Sequence, residues 1–476
     1  MKKHLFKLIS IVAVIAIIGS LFASCGKSVA KSEFYSEYSI RSSAKFMSAD
    51  SAEVKSQLSG KDGDYIDIVF DGEQTVDTVV LNEKGDNITE YEISVKQNGE
   101  FVLIYKQDKV GSIRYCAFDN TETDAVRVKI NSTREGEFEL TNIDILNVKH
   151  SRDDFRIMTY ATADSIYKSE AIDPAAFEII TDVALFGAVK FDEGGNIEFN
   201  DYEIDGETVN GMDALKKNIE NIKAVDPKNR VKIYINILGP DGDDYKDKED
   251  LHTEVFKNKS DTLISGIKEM LEELSADGIY FDYEYPYKGK SMKAYSDFLV
   301  KLDTDLGDNY KLGIAAGPWG KKLSKDAQKA VDYIEVMAYD MFDEDGYHAA
   351  FASNGGALSL DFFSKAGYDM AKCDLGVPFY ARPVNQDALW LSYNTVYEKL
   401  GKFTNTDSST IDVEDKKDYN ITRYYNSYQM VMDKTAYSFD CGAGGMMVWH
   451  YSCDARVDTG MSLFAAMADA VESRQS

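Results

Sequence analysis

Over residues 35–149 the chain alternates apolar and polar positions in short runs separated by Gly, Asn and Asp. Clear examples are Tyr65-Ile66-Asp67-Ile68-Val69-Phe70, Val76 to Leu81, Tyr91 to Val95, Val126 to Ile130 and Ile143 to Leu146. A period of two is that of a strand with one buried face, so this stretch predicts a small antiparallel β-sandwich. Such a unit has its own core, and its removal is expected to leave the remainder working. From residue 152 the pattern changes. Apolar strand-like runs at 156–160, 182–189, 231–238, 278–283, 311–316, 333–338, 374–377 and 445–449 alternate with helical ones. In the clearest helix, 261–274, Leu263, Ile264, Ile267, Met270, Leu271 and Leu274 share one face, with Ser260 as the expected N-cap. Strands alternating with helices over residues 152–474 predict an α/β fold, a (β/α)8 TIM barrel following the sandwich.

The first residues form neither unit. A basic leader, Met1-Lys2-Lys3-His4, precedes an apolar run from Leu8 to Ile18. That run is shorter than the roughly 20 residues that span a bilayer. Residues 1–24 therefore read as a signal peptide. Phe22-Ala23-Ser24-Cys25 resembles a bacterial lipobox, with Cys25 lipidated after cleavage and residues 25–34 as a tether. This implies a secreted lipoprotein held on the outer face of the bacterial cell membrane. The formal charge of −28 disfavours nucleic acid and suits a neutral polymer as partner. The cysteines after Cys25 fit neither CxxC pairs nor a disulfide framework, and the histidines form no ligand set, so no metal or cofactor is expected.

The chemistry concentrates in Asp277-Gly278-Ile279-Tyr280-Phe281-Asp282-Tyr283-Glu284-Tyr285-Pro286. Strand alternation points Ile279, Phe281 and Tyr283 toward the covering helices, and Tyr280, Asp282 and Glu284 into the barrel. Two carboxylates then stand side by side at the C-terminal end of a barrel strand, where such barrels carry active sites. Carboxylates about 6–7 Å apart repel, one pKa rises, and the protonated group can act as a general acid.

This decapeptide resembles the Asp-Gly-x-Asp-x-Asp-x-Glu-Tyr-Pro signature of family 18 glycoside hydrolases, which include chitinases and endo-β-N-acetylglucosaminidases. Val336-Met337-Ala338-Tyr339-Asp340, Leu375 to Arg382 and Gly444 to Trp449 resemble the family's sixth, seventh and eighth strands. The resemblance implies a retaining mechanism in which the substrate supplies the nucleophile. Glu284 would protonate the leaving oxygen of an N-acetylglucosamine-containing oligo- or polysaccharide. The acetamido oxygen would attack C1, Asp282 would orient the acetamide, and Tyr339 would hydrogen-bond its carbonyl. Trp449 would floor the sugar, Met337 and Asp340 would line the subsite, and Tyr380 and Arg382 would contact a neighbouring sugar or pack the barrel end. Three departures stand out. Tyr280 replaces the middle Asp and is expected beneath the sugar, donating to Asp282. The third strand reads Asn236-Ile237-Leu238-Gly239 where the family usually has Ser-x-Gly-Gly. The segment from Pro383 to Gly442 is too short for the deep-cleft insertion, so a shallow cleft is expected. The competing reading is a non-catalytic glycan-binding lipoprotein on a degenerate barrel, which Tyr280 favours. The 35–149 sandwich resembles the discoidin-type (coagulation-factor type C) family, carried by the 67–70, 90–95, 125–130 and 143–148 segments.

Overall fold

The computed structural model describes residues 32–34, 38–42, 58–148, 152–239, 245–283, 288–318, 320–341, 351, 356–383, 390–401, 406–411 and 421–475. The expected signal peptide, Cys25 and Glu284 lie outside them.

The N-terminal unit is an eight-stranded antiparallel sheet. The runs at 65–70 and 76–81, read as separate strands, form one strand, Tyr65–Glu83. Its partner Arg114–Thr133 is one residue longer, and the pairing shifts register between Val69 and Gln74. Between the two runs lies the polar Asp71-Gly72-Glu73, with the Gly and Asp that separate runs elsewhere in this stretch. Instead Gly72, at φ 95°, lets the strand bulge and bend without ending. The bent strands enclose a core that includes Ile68, Val79, Tyr91, Ile93, Val126 and Ile143.

The second unit is a closed parallel barrel. In chain order its strands are Arg156–Thr162, Asp182–Phe191, Lys232–Leu238, Gly278–Asp282, Lys311–Ala316, Tyr333–Val336, Cys373–Pro378 and Gly445–Trp449. Each pairs with the next, and the first closes the ring by pairing with the eighth as well as the second. Helices cover the outside. The fourth strand shows the logic: Phe281 and Tyr283 meet Phe256, Phe298 and Tyr295 at ring-centroid distances of 5.0–6.4 Å. Ser260 is not the N-cap of its helix, which spans Ser260–Leu274 with Lys259 at the cap position and no side-chain cap. The preceding helix, Tyr245–Asn258, ends one residue earlier, and Leu263 N–H donates to Lys259 O at 3.1 Å. The cap is thus set by that near-continuous helix, and Ser260 Oγ instead accepts from Lys301 Nζ at 2.9 Å.

The two units are not independent. The helices Tyr428–Asp440 and Leu463–Gln475 pack against the strand Arg114–Thr133. Tyr115, Ala117, Leu146 and Val148 of the sheet belong to the same apolar cluster as the barrel's outer wall. Charges are buried between them. Arg114 Nε and Nη2 lie 2.9 and 2.8 Å from Asp433 Oδ2, which also accepts from Tyr105 Oη at 2.7 Å. Asp433 Oδ1 accepts from the Ala117 N–H at 3.1 Å. At the C-terminal helix, Arg474 Nη2 donates to Thr78 Oγ1 at 2.8 Å and Arg474 Nε lies 3.3 Å from Asp440. Removing one partner of such a pair leaves the other buried and uncompensated.

Two outcomes follow. Asp433→Ala should cost about 3–5 kcal/mol, read by urea unfolding of the full chain. A barrel lacking residues 35–149 should aggregate, contrary to the expectation from strand pattern alone; a monodisperse, fully active truncation by size exclusion and activity assay would refute the interface. Asp77, also at this seam, is pushed up to about 6 chiefly by burial, against the pull of Arg474. Its folded pKa exceeds its unfolded value, so the stability it contributes is full below about pH 4 and lost as pH rises through about 6. The stability difference between the parent and Asp77→Asn should therefore change between about pH 4 and 6 and level off above it.

Candidate active site

At the carboxyl ends of the barrel strands lies a cavity of about 620 Å³. Its lining includes Asp282, Met337, Tyr339, Asp340 and Trp449. Strand alternation brings them there from three strand ends: Asp282 closes the fourth strand, Met337 to Asp340 follow the sixth, and Trp449 ends the eighth. Asp282 is only 7 % exposed, so its carboxyl is largely withdrawn from bulk water. The Trp449 indole is wedged between Phe186, at 4.7 Å and nearly perpendicular, and Tyr160, at 5.3 Å. The Trp449–His450 peptide bond is cis. Tyr339 packs close over Gly376, where an added Cβ would lie 3.1 Å from the ring and 2.4 Å from Val336 O.

Asp340 has a left-handed backbone, φ 60°, which Asp tolerates better than most residues. Its carboxylate accepts from Tyr380 Oη and pairs with Arg382 Nη1, both at 2.7 Å. Tyr380 and Arg382, expected at a sugar or in barrel-end packing, thus converge on Asp340. Burial, then the Asp340 charge, pushes the Tyr380 phenol well above its usual range, so it remains a hydrogen-bond donor.

Tyr280 is where the structure departs from expectation. It points inward but is fully buried and absent from the cavity lining. Its ring crosses the neighbouring strand at Gly313, where a Cβ would lie 2.2 Å from Cε1, and stacks on Tyr333 at 6.3 Å. The hydroxyl therefore makes no hydrogen bond to Asp282. It faces Glu335 and pulls that acid's pKa down as a hydrogen-bond donor would, although among the described residues neither the phenol oxygen nor the Glu335 oxygens meet a partner at strict bonding geometry. Burial, then repulsion from Asp374, drives Glu335 well above the usual carboxylate range despite that pull, so it is held neutral. The nearby Arg156 is committed to Asp374 through contacts of 2.7 and 3.2 Å. The cavity thus rests on a floor of buried tyrosines and acids. Asn236, beside Tyr280 in register, is also fully buried.

Glu284 lies outside the described residues. Tyr160, Phe186, Met341 and Met447 line the cavity unforeseen. Counting in twos along strands already assigned finds Met447 from Trp449 and Glu335 from Met337. Among the described residues no group of His, Cys, Asp and Glu could hold a metal, and Cys116, Cys373, Cys441 and Cys453 are buried and form no disulfide.

The sequence model of the family described as "Glycosyl hydrolases family 18" matches residues 156–454. A protein of Drosophila melanogaster named "Probable chitinase 2" is 22 % identical, over 40 % of this chain and 50 % of its own length. The chain therefore spans about half of that relative. Among solved structures, the family 18 chitinase from the chitin utilization locus of Flavobacterium johnsoniae superposes with a TM-score of 0.51 at 19 % identity. The match covers 67 % of this chain and 94 % of that one. The class V chitinase from Nicotiana tobaccum, in complex with NAG4, gives 0.53 at 15 % identity, covering 68 % and 99 %. At these identities the likeness is one of fold.

The Tyr280–Gly313 fit is testable as a pair. Gly313→Ala should destabilise by about 1–3 kcal/mol through overpacking. In a Tyr280→Ala background the same change should cost far less, giving a coupling above about 1 kcal/mol in a double-mutant cycle of thermal or urea unfolding. Additive costs would mean that the ring does not lie over Gly313.

Proposed function

The chain belongs to glycosyl hydrolase family 18, and on that premise we propose that it is a retaining glycosidase acting on β-linked N-acetylglucosamine-containing glycans. The observation that carries this reading is the Asp282 carboxyl at the end of the fourth strand, opening on a cavity walled by Trp449, Tyr339 and Met337. The signature in the sequence puts Glu284 two positions after Asp282, and the role of acid is assigned to it on that ground. Glu284 donates its proton to the glycosidic oxygen as the C1–O bond breaks, and the substrate's acetamido oxygen closes on C1 to give an oxazolinium ion. Asp282 accepts from the acetamide N–H and offsets the positive charge that develops there. Tyr339 donates to the acetamide carbonyl and holds it for attack. The apolar face of the sugar stacks on Trp449. Water, deprotonated by Glu284, then opens the oxazolinium ion and restores the starting configuration at C1.

The competing reading, a non-catalytic glycan binder, drew its support from Tyr280. With that residue below the cavity and engaged with Gly313 and Glu335, its replacement of an acid is a matter of barrel packing, and the hydrolase is favoured. Chitin oligomers, the core of N-linked glycans and peptidoglycan all present the required acetamido group, and product analysis on the three identifies the substrate. We further propose that the N-terminal sheet is a discoidin-like module and that Cys25 anchors a secreted lipoprotein to the bacterial membrane.

Glu284→Gln should lower turnover by about 10²–10⁴-fold while oligosaccharide binding persists, measured by reducing-end release and calorimetry. Turnover within tenfold of the parent would remove Glu284 as the acid. A thiazoline analogue of the oxazoline should inhibit competitively, and glycans without the 2-acetamido group should survive. Efficient cleavage of a plain glucose or xylose polymer would rule out substrate assistance.

A further inference from the structure

Trp390 is a large apolar side chain left 48 % exposed, although it stands on a rigid base. The next two residues, Leu391–Ser392, pair antiparallel with Tyr380–Ala381, just beyond the seventh barrel strand. The Ser392 side chain then caps the helix Tyr393–Leu400 by accepting from the Thr395 N–H at 3.1 Å. Two rings hold the indole nearly edge to face: Tyr380 at 6.2 Å and 78°, and His450 at 6.5 Å and 72°. Both lead to the cavity. Tyr380 bonds Asp340 in its lining, and His450 follows Trp449, with ring centroids 5.6 Å apart. A line of rings therefore runs from Tyr160 and Phe186 through Trp449 and His450 to an indole facing solvent.

We propose that Trp390 is a sugar-binding platform outside the cavity, stacking a neighbouring unit of the glycan whose N-acetylglucosamine occupies the cavity beside Trp449. This rests on the proposed substrate class. The occupant follows from continuity with the cavity and from chemistry: a pyranose ring offers an apolar C–H face to an indole and polar edges to water, which suits a half-exposed tryptophan. The platform makes the protein a reader of chain length, because a short substrate fills the cavity without reaching it.

The test uses the full chain carrying Glu284→Gln, titrated calorimetrically with N-acetylglucosamine oligomers from dimer to pentamer, with and without Trp390→Ala. Expected is binding of the tetramer and pentamer weakened about three- to tenfold, the range of a single aromatic contact, with the shortest bound oligomer unaffected. In the parent background KM for the long oligomers should rise by the same factor with kcat within about twofold. Trp390→Phe should recover most of the loss, and an unchanged melting temperature separates the effect from misfolding. If oligomers bind and Trp390→Ala leaves every length unchanged, or weakens all lengths equally, the platform is overturned and the hydrolase reading stands. If the Glu284→Gln protein binds no oligomer of any length, unbranched N-acetylglucosamine chains are not its substrate, and the platform, which is proposed for such a chain, is overturned with that reading.

Discussion

The interior of a closed parallel barrel is finite, and the side chains that alternate into it must fill it from one end to the other. Here the lower part is filled by large aromatic rings and buried acids. Tyr280 extends across its own neighbouring strand because Gly313 has no side chain to stop it. Its position places the phenol beside Glu335, which leaves the layer above to Asp282, Met337 and Trp449. A carboxylate near such a floor would be destabilised by a second full negative charge close by. The floor avoids that in two ways. Asp374 is compensated by Arg156, and Glu335 is kept protonated by burial. The open cavity and its acidic lining thus depend on how the closed part below is packed.

Above that floor, the site is held by fixed partners more than by loops. Asp340 is clamped by a buried tyrosine and an arginine from the segment after the seventh strand. Trp449 is braced on two sides by rings from the first two strands. Groups held this way lose little freedom when a ligand arrives, which is the condition for using binding energy at the reacting bond.

How much of this was legible in the sequence depended on the range of the information. Alternation within one strand is local, so the inward direction of Tyr280 and Asp282 and the outward direction of Phe281 could be read directly. The path of the Tyr280 ring could not, because it is decided by which residue of the next strand lies alongside, and that register is invisible along a single segment. The expected bond from Tyr280 to Asp282 failed for that reason. Local signals also misled where a glycine supplied a bend, as at Gly72, since turn residues and bulge residues are the same residue types. The seam between sheet and barrel was the least legible feature. Arg114 and Asp433 each look like ordinary surface charges, and nothing in either neighbourhood announces the other across 319 positions.

That separation has a consequence for how the chain must be made. The sheet emerges from the ribosome first, whereas the helices that cover Arg114, Tyr115 and Thr78 belong to the last part of the chain. Arg474 closes its contact with Thr78 across 396 positions, among the costliest contacts in loop-closure entropy. Throughout synthesis the completed sheet therefore presents an apolar face studded with charges whose partners do not yet exist. Those charges keep that face solvated while it waits, discouraging association with other chains. Arg114 and Asp77 become interior groups when these two helices arrive, so the seam protects the unfinished chain and locks the finished one.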